Sequence, residues 1–257
     1  MCHIKQKLED VRNKPKTIVA TDNTIRDIVE DEIKRLGYEA DLNHIDVSKV
    51  TNLSHLFFES KFNGDISQWD VSKVKNMNFL FSKGKFNGDI SKWKVGRVTD
   101  MENMFFVSKF NKDISQWDVS RVKNTFGMFR FSKFNKDISK WKVYRVEDMA
   151  YMFQDSKFNQ DISQWDVGNV RDMGFMFEDS KFNQDISQWD VSNVKNMAYM
   201  FYRSKFNQDI SEWDVSSVKG MSFIFARSEF NGDVSKWDIS NVFDKREIFL
   251  KSKCKRD

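Results

Sequence analysis

The sequence predicts an α/β fold: a right-handed solenoid of about nine coils, each a short parallel strand and a short helix, behind an N-terminal capping helix. Three observations carry this. Tryptophan occurs eight times in 257 residues and only on a 24-residue grid, from Trp69 to Trp237. The grid is free of insertions, so each unit can pack on the next in one register. Finally, the block F-N-x-D-I-S-x-W-D-V-S-x-V-x-(N/D)-M-x-x-M-F-x-x-S-K recurs with local substitutions in every unit, as in Phe158 to Lys181.

Read from the N-terminus, residues 1–39 form a leading segment in which Met1 to Lys16 looks loosely ordered. Ile25, Ile28, Val29, Ile33 and Leu36 then fall at helical spacing, with Asp22, Asn23 or Thr24 as N-cap and Gly37 as the stop. This predicts a capping helix over about 24–36. The repeats occupy 40–251 and a basic tail occupies 252–257. Leu42, Ile45, Val47, Val50, Leu53, Leu56 and Phe57 anticipate Ile66, Trp69, Val71, Val74, Met77, Leu80 and Phe81, so a truncated coil precedes the eight full ones.

Within a unit, Gln68 to Ser72 alternates polar and apolar and predicts a strand with Trp69 and Val71 inward. Asn76 then caps a short helix that turns Met77, Leu80 and Phe81 to one face. Phe62-Asn63-Gly64-Asp65 has turn composition and returns the chain. A lone unit buries too little apolar surface to offset its chain entropy, so stacking must supply the rest. In the last coil, Asp244, Lys245, Arg246 and Glu247 replace core and flanking residues and suit a water-facing end.

The W-D-V-S-x-V and N-M-x-x-M-F blocks, from Leu42 to about Lys251, resemble the BspA-like leucine-rich repeat family of bacterial proteins, also known as a mycoplasma-type repeat of unknown function. Ile66-x-x-Trp69-x-Val71 maps onto the leucine-rich strand. The resemblance implies a leucine-rich-repeat-like scaffold, often a surface adhesin or secreted surface repeat, and offers no catalytic residues.

Composition narrows the function. The net charge of +4 with 31% charged residues describes a mixed surface, and nucleic acid is a minority reading. Cys2 and Cys254 stand outside the repeats and give no disulfide framework. With no apolar run of signal or membrane length and no lipidation pattern, the expectation for the chain as given is cytoplasmic, monomeric and not membrane-bound. No catalytic, cofactor or metal site is expected: carboxylates recur equally in every unit, and the three histidines are confined to the N-terminal part.

Four columns stand out. The Trp column reads as a packed spine whose indole N–H groups find backbone acceptors. The Asp65 column reads as turn carboxylates accepting backbone N–H groups, with calcium as the rival. The Lys61 column offers a basic stripe. The outward positions beside each Trp vary from unit to unit: the equivalents of Gln68, Asp70, Ser72 and Lys73 sum to +6 over the first four units and −4 over the last four. Lys92, Lys94, Arg97, Arg121, Lys140, Lys142, Tyr144 and Arg145 form a basic patch, and Asp166, Asp190, Glu212, Asp214 and Asp238 an acidic one. These are the candidate contacts for a protein partner.

Overall fold

The computed structural model describes residues 16–253, so the expected loose order of residues 1–16 falls almost wholly outside it, as do both cysteines and His3. Strand β1 (Ile18–Val19) pairs in parallel with β2 (Ile45–Asp46), Ile18 opposite Ile45, as a two-stranded sheet. Helix α1 (Ile25–Leu36) connects them and is the one helix among the described residues.

Helix α1 forms where its spacing predicts. Of the three N-cap candidates Thr24 holds the position, but its hydroxyl accepts the Thr21 amide at 3.0 Å and caps no helix amide. Asp27 sits in the first turn, and Lys34 and Arg35 sit in the last, each charge opposed to the nearer pole of the helix. Gly37, at φ 92°, donates its amide to Ile33 at 2.8 Å and stops the helix. The inner face buries Ile25, Val29 and Glu32. Glu32 is held by Arg35 and by His44 Nε2 at 2.7 Å, and the Arg35 hydrogen bond keeps its carboxyl below the ordinary range.

The repeats stack in register, but the expected strand and helix of each unit are absent. Parallel pairing between units shrinks to isolated bridges: Asp41 to Asp65 and Asn52 to Asn76 at the first step, then one per step from Asn76 with Asp100 to Gly220 with Asp244. Side-chain competition explains the missing strand over 68–72. Asp65, Asp70 and Asn76 each accept the amide two residues on, from Ser67 at 2.8 Å, Ser72 at 3.1 Å and Asn78 at 2.8 Å. Each such contact closes a turn and bends the chain before a ladder can run. Asn76 thus makes the contact expected of a cap, but no helix follows it.

From Met77 to Gly84 the backbone is a ribbon of overlapping turns with two alternating duties. The amides of Leu80, Ser82 and Gly84 return three residues to Met77, Phe79 and Phe81. Those of Met77, Phe79, Phe81 and Lys83 donate forward to Asp100, Glu102, Met104 and Phe106 of the next coil at 2.7–3.0 Å. Phe79 and Lys83 have φ near 54°, the mark of type II turns at their third residue. The same two left-handed positions recur in nine coils, from His55 and Glu59 to Glu247 and Lys251, and only Gly127 among the eighteen is a glycine.

The core is continuous along the stack. Phe57, Phe81, Phe105 and Phe129 pile at 5.6–5.7 Å, and each stacks on its own coil's second Phe, as Phe81 on Phe86 at 4.2 Å. The Trp column packs beside them, 3–4% exposed from Trp69 to Trp213. Each indole N–H reaches a carbonyl of the preceding coil, Trp69 to Leu42 at 3.0 Å and Trp93 to Ile66 at 3.1 Å. Tryptophan is therefore both spine and rivet, as the sequence led us to expect.

Candidate protein-binding face

The segment that carries each Trp presents its neighbours outward, because Trp69 and Val71 occupy the core while Gln68 and Asp70 flank them on the other side. All thirteen residues singled out from the sequence are exposed: the basic Lys92, Lys94, Arg97, Arg121, Lys140, Lys142, Arg145 with Tyr144, and the acidic Asp166, Asp190, Glu212, Asp214 and Asp238. They lie on consecutive coils of one face, the basic group on three coils and the acidic group on four. Lys140, Lys142 and Tyr144 line a shallow depression with Asp118 and Ser120 of the coil before.

Electrostatics separate the two groups. Asp70 and Asp118 are each pushed below the ordinary carboxylate value, first by the hydrogen bond from Ser72 or Ser120 and then by cations that include Lys94 and Lys142 on the next coil. Sign therefore alternates between neighbouring coils in this half. In the other half the carboxylates follow one another: Asp214 is lowered by Ser216, yet Asp238 on the next coil works against it. The acidic run keeps one oxygen of each aspartate in a turn, as Asp190 accepts Ser192 at 3.0 Å and Asp238 accepts Ser240 at 3.0 Å, and leaves its charge facing water.

The Asp65 column does what its turn reading predicts. Asp65, Asp89, Asp113 and their successors to Asp233 accept the amide of the serine two residues on at 2.8–2.9 Å. The Asn63 column links coils, each Oδ1 accepting the amide of the next Asn, as Asn87 donates to Asn63 at 2.8 Å. Among the described residues no group of three or more acidic, His or Cys side chains converges as a metal site would require.

A second surface was hidden by the helix expectation. The left-handed ribbon positions carry aromatic rings outward: Tyr151, Phe175, Tyr199 and Phe223 stack in sequence at 4.5, 4.6 and 4.9 Å. Earlier in the stack, the Arg130 guanidinium lies 4.6 Å from the Tyr151 ring and 4.9 Å from Phe131, within cation–π range. Phe131 and Val107 are 40% and 45% exposed, the largest apolar exposures among the ribbon residues. The i, i+3, i+4 pattern marked Met77, Leu80 and Phe81 as inward, but no periodic rule read from one helix could place Phe79 in a left-handed turn.

The family described as "Mycoplasma protein of unknown function, DUF285" matches the chain in three overlapping stretches, residues 30–133, 107–205 and 169–256. The chain belongs to this family. The overlap is what a DUF285 match to a uniform array produces, since one unit in register satisfies the family pattern as well as the next. No curated protein and no solved structure matches. Among the described residues of this DUF285 chain, no helix is long and apolar enough to cross a membrane.

Proposed function

We propose that this DUF285 array is a non-enzymatic scaffold that binds a protein partner through the polarised face beside its Trp column. In this reading the stack is a right-handed solenoid of the leucine-rich-repeat type, kin to the BspA-like repeats, with turn ribbons in place of helices. One observation supports the reading most: a rigid, repeated framework holds thirteen exposed, variable residues in a basic block followed by an acidic block. Such a dipolar arrangement orients a complementary partner and speeds its encounter more than it adds affinity. The framework itself needs none of these side chains for its core.

Recovery of partners from a native lysate tests the proposal, using the wild-type chain and Lys94→Asp/Lys142→Asp. These lysines are exposed, so the fold survives while the positive charge of the basic block falls. Loss of the wild-type partner is the expected result. Recovery of the same partner in the same amount by both chains would overturn it.

A further inference from the structure

A furrow opens along one edge of this face, between the columns of Lys73 and Lys75. Its lining around the fifth and sixth coils is Lys123, Arg145, Glu147, Asn169 and Arg171. One bank carries Lys73, Arg97, Arg121 and Arg145, the other Lys75, Lys123, Arg171, Lys195 and Lys219, all exposed. Glu147 is the one acid in the two columns, 3.6 Å from Lys123 Nζ. Past Arg145 the first bank changes chemistry. Asn169, Asn193 and Asn241 lie along the surface and donate to carbonyls of the preceding coil, at 2.6–2.9 Å. Lys73, Arg97, Arg121 and Arg145 are exposed and do not fold back in this way, although Lys73 also faces Asp70 and Arg121 faces Asp118.

The spacing selects the ligand. Parallel-paired coils repeat at about 4.8 Å. An α-helix with one acidic side chain per turn repeats at about 5.4 Å, a mismatch of roughly 0.6 Å per coil. An extended peptide offers same-side carboxylates only every ~6.8 Å. A duplex strand offers phosphates every ~3.4 Å along its axis. Rings for base stacking are absent from the lining at Lys123 to Arg171, which removes the usual grip on a single strand. We infer that the furrow takes an acidic α-helical segment of a protein, laid along the stack with one carboxylate stripe against the cations. This rests on the proposed protein-binding function and names its partner's chemistry.

Two synthetic helical peptides of equal composition test it by fluorescence anisotropy at low salt. One has glutamates in a single stripe at i, i+4, i+7 and i+11, and the other has them spread around the helix. The striped peptide should bind at least tenfold more tightly. Glu147→Gln should tighten it further, and Lys123→Gln/Arg171→Gln should weaken it tenfold or more, with unchanged tryptophan emission reporting an intact stack. Equal binding of the two peptides, indifference to Glu147→Gln, or tighter binding of a single-stranded or duplex oligonucleotide would each overturn the inference. Lys94→Asp/Lys142→Asp leaves every furrow cation in place, so partner loss there combined with indifference to Glu147→Gln sinks the furrow and spares the face.

Discussion

The two ends of the stack solve one problem in opposite ways. At the N-terminal end the first coil shows amides on one side and carbonyls on the other, and α1 together with its lead-in meets both. Asp22 accepts the amides of Thr51 and Asn52 at 2.7 and 3.0 Å, and Arg26 donates to the carbonyls of Ser54 and His55 at 3.3 and 3.4 Å. At the C-terminal end the ribbon amides of Lys245, Glu247, Phe249 and Lys251 have no hydrogen-bond acceptor among the described residues, although each equivalent one coil earlier donates forward. Burial fades with them: Trp237 is 9% exposed, Phe243 is 80% exposed, and Ile248 and Phe249 are only partly covered. Within the last coil, Asp244 is held to about 2 by its paired hydrogen bonds from Arg246. A cap that satisfies backbone groups thus differs from an end that is merely polar.

The sharpest way to break this contrast is to delete one rivet in the middle and one at the open end. Trp141→Ala should cost about 4 kcal/mol, since it empties a packed site and removes one of the two hydrogen bonds to the Ile114 carbonyl, whereas Trp237→Ala should cost no more than about half as much. Urea unfolding followed by far-UV circular dichroism reads both, and equal losses would mean that the ends are no weaker than the centre. Amide exchange gives the next effect. The amides of Lys245, Glu247, Phe249 and Lys251 should exchange ~100-fold faster than those of Met221, Phe223, Phe225 and Arg227, because the latter are tied to the following coil.

Smaller changes sharpen the account of the cap. Asp22→Ala should lower stability by about 1 kcal/mol and strip protection from the Thr51 and Asn52 amides alone, a loss typical of a removed cap. The smallest effect concerns strain. Val107 is β-branched at φ 52°, and relief of that strain should outweigh the chain entropy of glycine, so Val107→Gly should raise the unfolding midpoint by an amount worth about 0.5 kcal/mol. Lys251→Gly, at nearly the same φ in the open coil, should raise it less, and a larger gain there would mean that the last coil is as rigid as the third.

Period and burial were legible in the sequence; local backbone form was not. The Trp grid, the inward Val71, Val74, Met77, Leu80 and Phe81 positions and helix α1 all follow from apolar spacing. The error lay in the segments between. Alternation around Trp69 reads as a strand, yet it coincides with aspartates two residues before serines, and that local hydrogen bond outcompetes the ladder. Likewise Met77, Leu80 and Phe81 satisfy a helix pattern, but the adjacent coil offers the carbonyls of Asp100, Glu102 and Met104 to every second amide. A helix would leave those carbonyls unmet. The exposed face was found because its signal is variation on a fixed frame, which does not depend on knowing the backbone. The outward aromatic pile needed the left-handed turns to be seen.

The Trp column has an optical consequence. Trp69 and Trp93, Trp117 and Trp141, and Trp213 and Trp237 lie with their rings 6.3–6.5 Å apart and within 4° of parallel. Indoles that close exchange excitation, so light absorbed at one ring of a pair can be emitted from its neighbour on the next coil. Parallel rings also confine the transition moments to parallel planes, which limits the loss of polarisation as excitation passes between them. Each of these pairs should therefore emit as a coupled unit, and a local breakage of the stack should change the emission of both its members together.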